Sequence, residues 1–139
     1  MTQTERAGSV PERMDIVSDA DVVRVRQAVR VLALKAALSI VDQTKIVTAA
    51  SELARNTLVH GGGGFVRLEL VHERGRAGVR ATFTDSGPGI ANIEQAMSGG
   101  VSTAGGLGLG LSGSRRLVDV FDLETAAGGT RVTVTKWKR

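Results

Sequence analysis

Polar side chains recur at every fourth position near the middle of the chain. Glu52, Asn56 and His60 are spaced four residues apart, a spacing that puts them on one face of an α-helix. A carboxylate beside a carboxamide could help to hold Mg²⁺, which takes few protein ligands and completes its shell with phosphates and water. The same carboxylate could instead orient or deprotonate an attacking hydroxyl group. A solvated helix face without a chemical role is the simplest interpretation of this motif by itself.

The second candidate site is the glycine-containing segment Asp85-Ser-Gly-Pro-Gly-Ile90. The residues before it alternate as in a strand, and Asp85 falls on the apolar side of that strand. A carboxylate on a buried face needs a hydrogen-bonding partner, and the exocyclic amine of adenine is one that would serve. Gly87 and Gly89 would let a flat ring lie against the backbone. An ordinary turn that begins with an aspartate explains the segment equally well.

The third candidate site is the run Gly105-Gly-Leu-Gly-Leu-Gly-Leu111, which opens a predicted helix. Glycines at a helix start expose backbone N–H groups near the positive end of the helix dipole, an arrangement that binds phosphate. Gly108, Gly110 and Gly113 also match the dinucleotide fingerprint G-x-G-x-x-G. We reject that interpretation because no predicted strand precedes the run and too little chain follows it for a doubly wound sheet. A flexible loop remains the alternative to a phosphate site.

Amphipathic helices are predicted before and around the polar stripe. Ser18 begins a capping-box-like sequence with acidic residues in the first turn. Apolar residues then recur at helical spacing, at Val22, Val25, Val29, Leu32 and Ala36. Asp42 is the predicted N-cap of a second helix, which carries the polar stripe and ends at the glycine run 61–64.

The second half of the chain predicts strands and a third helix. The predicted strands cover residues 14–17, 66–70, 79–84, 123–126 and 131–137, with a hairpin turn at 75–78. The spacing of Leu111, Ser114, Val118 and Phe121 predicts the third helix. Helices followed mainly by strands favour an α+β two-layer sandwich, with three main helices packed on one face of a mixed, mostly antiparallel sheet.

Length and composition restrict the class of protein. The 139 residues predict a flexible N-terminal tail, residues 1–13, and a single domain, residues 14–139. A hydrophobic fraction of 42% and a charged fraction of 23% are typical of a soluble globular protein, and no apolar run is long enough to span a bilayer. The chain has no cysteine, and its polar start lacks the apolar centre of a signal peptide. We therefore predict a cytoplasmic protein without a membrane partner.

The net charge of +4 raises the question of a nucleic-acid partner. The basic residues are interspersed with acidic ones, and only 3% of the residues are aromatic, which leaves few platforms for stacking bases. The sequence therefore favours no nucleic-acid partner. The excess positive charge would suit an acidic protein partner or the phosphates of a nucleotide.

Taken in order, the three sites resemble those of the GHKL superfamily of ATPases and kinases, whose ATP site is the Bergerat fold. The resemblance covers Asp15 to Arg139. It implies ATP and Mg²⁺ as cofactors, with Glu52 as the catalytic base and Asn56 as the magnesium ligand. It also implies that residues 92–105 form a lid over the nucleotide. The nucleotide-binding residues that it implies, besides Asn56, are Asp85, Gly87, Gly89, Ile90, Gly106, Leu107, Gly108, Leu109, Gly110, Leu111 and Thr130.

Within the superfamily the chain is similar to the small bacterial anti-sigma and switch kinases, and most of all to the RsbT type of the stressosome. The runs that carry this similarity are Val41-Asp-Gln-Thr-Lys-Ile, Ser51-Glu-Leu-Ala-Arg-Asn, Ser102-Thr-Ala-Gly-Gly-Leu-Gly and Lys136-Trp. The similarity implies a serine/threonine protein kinase of a stress-response partner-switching module. Its expected partners are STAS-domain proteins as phosphorylation substrates and a PP2C-type phosphatase that it activates when released. An anti-sigma factor kinase that sequesters a sigma factor is the alternative, and a nucleotide-binding interaction module without turnover is a third.

Overall fold

The computed structural model describes residues 11–90 and 107–139, and the side chains of residues 107–109 are left out of the description. The strands in this part of the chain are β1 (Glu12–Ile16), β2 (Gly64–Glu73), β3 (Arg76–Asp85), β4 (Val120–Ala126) and β5 (Gly129–Trp137). The helices are α1 (Asp19–Lys35), α2 (Ile40–Val59) and α3 (Leu107–Leu117).

The strands form one five-stranded sheet in the order β1-β2-β3-β5-β4. Each pairing that the structure describes is antiparallel. Phe83 of β3 lies opposite Val66 on one side and Val132 on the other, so these apolar side chains share one face of the sheet. The predicted α+β two-layer sandwich is confirmed.

The core lies between that face of the sheet and the helices. Helix α2 contacts both α1 and α3, so it is the middle helix of its layer. The fully or almost fully buried side chains that join the two layers include Val25, Val29, Ile46, Ala50, Leu53, Leu68, Ala81 and Val134. Since α2 is packed along its length, the residues at its end are held in a defined place against the sheet.

The two long helices begin with local hydrogen bonds that satisfy backbone N–H groups. The sequence predicted Asp42 as the N-cap of α2, and this prediction is wrong. The N-cap is Ser39, whose hydroxyl accepts a hydrogen bond from the Asp42 N–H at 3.1 Å. At the start of α1 the Asp21 carboxylate accepts from the Val17 N–H at 2.9 Å, and this bond lowers the pKa of Asp21. Ser39 and Asp42 both suit an N-cap, and only the position at which the chain turns decided between them.

Two predicted boundaries are wrong. Helix α3 ends at Leu117, and Phe121, assigned to that helix from its spacing, lies in β4 opposite Val134. Phe121 and Leu123 also alternate as in a strand, and the pairing of this segment with β5 stabilises the strand rather than a longer helix. Strand β1 begins at Glu12 and therefore includes Arg13, which was assigned to the flexible tail.

A buried ionic cluster joins the N-terminal end of α2 to β5. The Nζ of Lys136, whose side chain is 3% exposed, lies 3.6 Å from a carboxylate oxygen of Asp42 and 3.6 Å from one of Asp119. Arg139 contacts both carboxylates, and Asp119 accepts a hydrogen bond from the Trp137 N–H at 2.7 Å. We call these residues (Asp42, Asp119, Lys136 and Arg139) the ionic cluster.

Among the helices in the described ranges, none has the length and apolar character needed to cross a membrane.

Candidate functional site

A cavity opens between the C-terminal half of α2, the end of β3, the start of α3 and the start of β5. Its lining contains both apolar and polar residues. The residues that line it are Leu53, Asn56, Thr57, His60, Phe83, Asp85, Gly89, Ile90, Leu111, Thr130 and Val132. Six of the residues predicted to bind a nucleotide are therefore brought to one cavity, namely Asn56, Asp85, Gly89, Ile90, Leu111 and Thr130.

Asp85 is the last residue of β3, and its carboxylate is held by the turn that follows. Its Oδ1 accepts a hydrogen bond from the Gly87 N–H at 2.9 Å. Gly61 packs directly against the carboxyl group, where any Cβ at position 61 would clash with it. A Cβ on Gly87 would lie 2.9 Å from the Gly61 backbone, so both glycines are required by close approach. The carboxylate retains acceptor capacity for a donor in the cavity.

The turn after Asp85 rests on the β4–β5 hairpin. Gly89 has a φ of +82° and packs against the carbonyl of Ala126. The N–H of Ile90 donates to Thr125 Oγ1 at 2.9 Å, and Thr125 Oγ1 lies 3.0 Å from Thr130 Oγ1. These contacts place the backbone of Gly89 and Ile90 along one wall of the cavity and the Thr130 hydroxyl beside it.

Two buried nitrogen atoms lie at this cavity, one on α2 and one on the residue that directly follows the helix. Asn56 Nδ2 and His60 Nε2 have no hydrogen-bond partner within the described ranges. We call them the two open nitrogens. Asn56 also marks where α3 meets α2, because a Cβ on Gly110 would lie 2.9 Å from Asn56 Nδ2. A buried polar group without a partner costs about 1–3 kcal/mol, so the two open nitrogens are available for hydrogen bonds in the cavity.

Glu52 lies one turn before Asn56 and is exposed on the outer side of α2, outside the lining of the cavity. The other exposed residues along that side of α2 are Val41, Thr44, Thr48, Arg55 and Val59. Helix α2 thus presents the Asn56 carboxamide to the cavity and the Glu52 carboxylate to the surface beside the cavity. A second molecule that reached Glu52 would approach the cavity from outside.

The glycine run is described only in part. The predicted lid, residues 92–105, and Gly106 lie outside the described residues. Leu107, Gly108 and Leu109 form the first turn of α3, and Gly110 and Leu111 follow in the same helix. Leu111 is 1% exposed and anchors the start of α3 against the core.

The residues described do not contain a cluster of His, Cys, Asp and Glu side chains that could hold a metal ion by themselves. Asn56 offers a single carboxamide oxygen beside the start of α3. One neutral ligand suits Mg²⁺ that is held mainly by phosphate oxygens and water, and does not suit a metal held by protein alone. The donor set therefore fits magnesium that arrives with a nucleotide.

Sequence reasoning missed three residues that shape the cavity. Gly61 makes room for the Asp85 carboxyl, and the run of four glycines was interpreted only as a helix end. Thr125 carried no signal of its own, since a threonine in a strand is ordinary. His60 was noticed through its spacing but not assigned to the site, and its buried nitrogen was not predictable from spacing.

The family described as histidine kinase-, DNA gyrase B- and HSP90-like ATPases matches residues 41–139, which include every element that lines the cavity. The chain belongs to this family. The predicted GHKL membership is thereby confirmed.

A curated relative agrees with the family. The chain is 44% identical over 125 residues to the serine/threonine-protein kinase RsbT of Bacillus subtilis strain 168, an alignment that covers 89% of this chain and 94% of that protein. The enzyme class predicted from the sequence, an ATP-dependent serine/threonine protein kinase, is confirmed by the family and this relative.

Solved structures agree on the fold. The RsbU and RsbW domains of a Mycobacterium tuberculosis protein match with a TM-score of 0.63 and 24% identity over 94% of this chain, which spans 33% of that chain. The SiaB–SiaC complex of Pseudomonas aeruginosa matches with a TM-score of 0.55 and 13% identity, over 96% of this chain and 92% of that one. At these identities the matches show a shared fold.

Proposed function

We propose that this protein is the switch kinase of a bacterial partner-switching module and transfers the γ-phosphate of Mg-ATP to a serine or threonine of a STAS-domain protein. The observation that carries the proposal is the cavity that joins the Asp85 carboxylate to the open nitrogen of Asn56, next to the start of α3. One end of that cavity suits a base and the other suits phosphates.

Adenine would occupy the end formed by Asp85, Gly89 and Thr130. The Asp85 carboxylate would accept from the exocyclic amine, since its orientation is already set by Gly87 and Gly61. The backbone of Gly89 would leave a flat wall for the ring. Leu53 and Phe83, which also line the cavity, would contact the faces and edges of the ring.

The phosphates would occupy the end where α2 meets α3. Asn56 would hold Mg²⁺ through its carboxamide oxygen, and N–H groups in the first turn of α3 would bind phosphate oxygens at the positive end of that helix. When bound, the magnesium ion would neutralise charge on the transferred phosphate. His60 lies one turn beyond Asn56, and its open nitrogen would meet a polar group of the nucleotide.

The acceptor would approach over the exposed side of α2. In the transfer, the oxygen of an acceptor hydroxyl forms a bond to the γ-phosphorus while the bond to the β–γ bridging oxygen breaks, and ADP leaves. Glu52 would orient that hydroxyl and accept its proton. The exposure of Glu52 supports an acceptor as large as a protein, because none of the residues that the structure describes covers the carboxylate.

The partners in this proposal follow from the relative. The resemblance to kinases of the RsbT type implies STAS-domain proteins as acceptors, and 44% identity to the serine/threonine-protein kinase RsbT over most of both chains supports that class of acceptor here. Activation of a PP2C-type phosphatase by the released kinase would complete the switch. Sequestration of a sigma factor remains the alternative function, and the experiment below separates it.

The test is transfer of labelled phosphate from ATP to STAS-domain proteins encoded beside this protein. Glu52→Gln keeps the shape of the side chain and removes its basicity, so ATP affinity measured by calorimetry should be nearly unchanged while the transfer rate falls about 10²–10⁴-fold. Glu73→Gln is the matched control, because Glu73 is also exposed but lies at the far end of β2.

A different result would contradict each part of the proposal, namely the role of Glu52, the kinase activity and the phosphatase partner. Full transfer by Glu52→Gln would remove that residue from the chemistry. A parent protein that binds Mg-ATP, transfers phosphate to none of these proteins and binds a sigma factor tightly would favour the anti-sigma function. Phosphatase activity that is unchanged by the free kinase would remove the PP2C-type partner.

A further inference from the structure

The β4–β5 hairpin holds the turn that follows Asp85 through three separate contacts. Gly89, at a φ of +82°, packs against the carbonyl of Ala126. Gly129, at a φ of +148°, packs against the carbonyl of Asp85. Thr125 accepts a hydrogen bond from the Ile90 N–H at 2.9 Å. The shape of this turn therefore depends on residues about 35 positions later in the chain.

Thr125 differs from the two glycines because its hydroxyl also reaches a residue of the cavity. Its Oγ1 lies 3.0 Å from Thr130 Oγ1 and 3.5 Å from the carbonyl oxygen of Gly129. Thr130 lines the cavity and Thr125 does not. Any effect of Thr125 on a ligand in the cavity is therefore exerted through Thr130 or through Ile90.

The hydrogen-bonding capacity of the two hydroxyls limits what Thr130 can offer. A hydroxyl has one hydrogen and two lone pairs, and the Ile90 N–H occupies one lone pair of Thr125. If Thr125 donates its hydrogen to Thr130, the Thr130 hydrogen is free to be donated into the cavity. If Thr125 donates instead to Gly129, Thr130 donates to Thr125 and offers only lone pairs. The state of Thr125 thus decides whether Thr130 acts as a donor or as an acceptor.

We propose that Thr125 is a positioning residue for nucleotide binding, which fixes the Ile90 backbone and orients the Thr130 hydroxyl toward the adenine ring or a water bound to it. The inference rests on the proposed function for the location of adenine. It adds a residue that touches no nucleotide and acts through two that do.

The experiment measures the affinity of Mg-ATP by calorimetry for the parent, Thr125→Val, Thr130→Val and the double variant. Thr125→Val keeps the shape and removes the hydroxyl, leaving the Ile90 N–H without its acceptor. We expect Thr125→Val to weaken binding about tenfold, the size of one lost hydrogen bond. Because Thr125 acts in part through the Thr130 hydroxyl, the double variant should lose less than the product of the two single losses.

Two further measurements separate positioning from a general structural effect. Thr125→Ser restores a hydroxyl at the same place and should recover affinity to within about threefold of the parent, a residual that allows for the lost methyl group. Thr133→Val is the matched control, since Thr133 lies in β5 like Thr130 and donates to another threonine, Thr82, at 3.4 Å.

Several results would overturn the inference. Unchanged ATP affinity in Thr125→Val, losses that multiply in the double variant, or an equal loss in Thr133→Val would each do so. If Thr125→Val does not fold, as judged by its thermal transition, Thr125→Ser and Thr125→Cys are compared instead, and equal ATP affinity of these two would contradict the proposal. Phosphate transfer is not a readout here, so a parent that binds ATP without transferring phosphate defeats the kinase proposal alone.

Discussion

Buried polar side chains are paired at one end of helix α2 and have no partner among the described residues at the other end. At the N-terminal end the ionic cluster brings Asp42 and Asp119 within 3.6 Å of the buried ammonium group of Lys136. At the C-terminal end the two open nitrogens, on Asn56 and His60, are buried and have no hydrogen-bond partner in the ranges that the structure describes. Both ends lie against the same sheet, so burial alone does not explain the difference.

The difference indicates that the N-terminal end of α2 contributes mainly to stability and the C-terminal end mainly to ligand binding. The ionic cluster joins α2, the connection between α3 and β4, and β5, so its loss would destabilise the whole fold. Each open nitrogen costs about 1–3 kcal/mol of stability and leaves hydrogen-bonding capacity for a ligand. We therefore expect substitutions at the first end to change the free energy of unfolding, and substitutions at the second end to change nucleotide affinity.

The largest effect is expected from Lys136→Met. The two aspartates would remain close together with only the exposed Arg139 to compensate, and the free energy of unfolding should fall by about 3 kcal/mol. Urea unfolding followed by circular dichroism measures the change. The affinity for Mg-ATP should stay at the parental value wherever the variant is folded. A large loss of affinity in the folded variant would break the separation between the two ends.

Asn56→Leu should give the reverse result. Leucine has nearly the same volume and removes the open nitrogen of Asn56, so the free energy of unfolding should be unchanged or slightly higher. Mg-ATP affinity should fall by about 2 kcal/mol, the value of a hydrogen bond or ligand contact to a charged group. Calorimetry with and without Mg²⁺ measures it, and an affinity loss that is independent of Mg²⁺ would contradict the magnesium role of Asn56.

A smaller effect on affinity is expected from His60→Leu. The second open nitrogen is lost, and Mg-ATP binding should weaken by about 1 kcal/mol, the typical value of one neutral hydrogen bond. The chain has two histidines, and the other, His72, is exposed in β2. His72→Leu is therefore the control, and an equal loss in both variants would remove His60 from the nucleotide site.

The smallest effect is expected from Arg139→Ala, which sharpens the description of the ionic cluster. The Arg139 side chain is 62% exposed, so its contacts with Asp42 and Asp119 are screened by water. We expect a loss of less than about 1 kcal/mol in the free energy of unfolding, and a smaller loss at high salt. A loss as large as that of Lys136→Met would mean that Arg139 and Lys136 contribute equally to the cluster.

Much of the fold was accessible from local patterns. Alternation in 66–70 and 79–84 predicted the β2–β3 hairpin, and the spacing from Val22 to Ala36 predicted α1. The pattern failed at Phe121, whose spacing fits both a helix and a strand, and the pairing with β5 selected the strand. Periodicity identifies an element reliably only where one period fits alone.

Thr130 came only from the resemblance to the GHKL superfamily, whereas local patterns in the sequence predicted most of the elements, the polar stripe, and Asn56 and Asp85 as residues of the site. Such features depend on neighbours a few positions away, and periodicity and side-chain chemistry are enough to find them. Only the tertiary structure decided that Glu52 is exposed while Asn56 is turned toward the cavity, and that Thr125 reaches Ile90. It also decided that Lys136 is buried between two aspartates. These contacts join residues far apart in sequence, and their hydrogen bonds and burial exist only after the sheet and helices have packed.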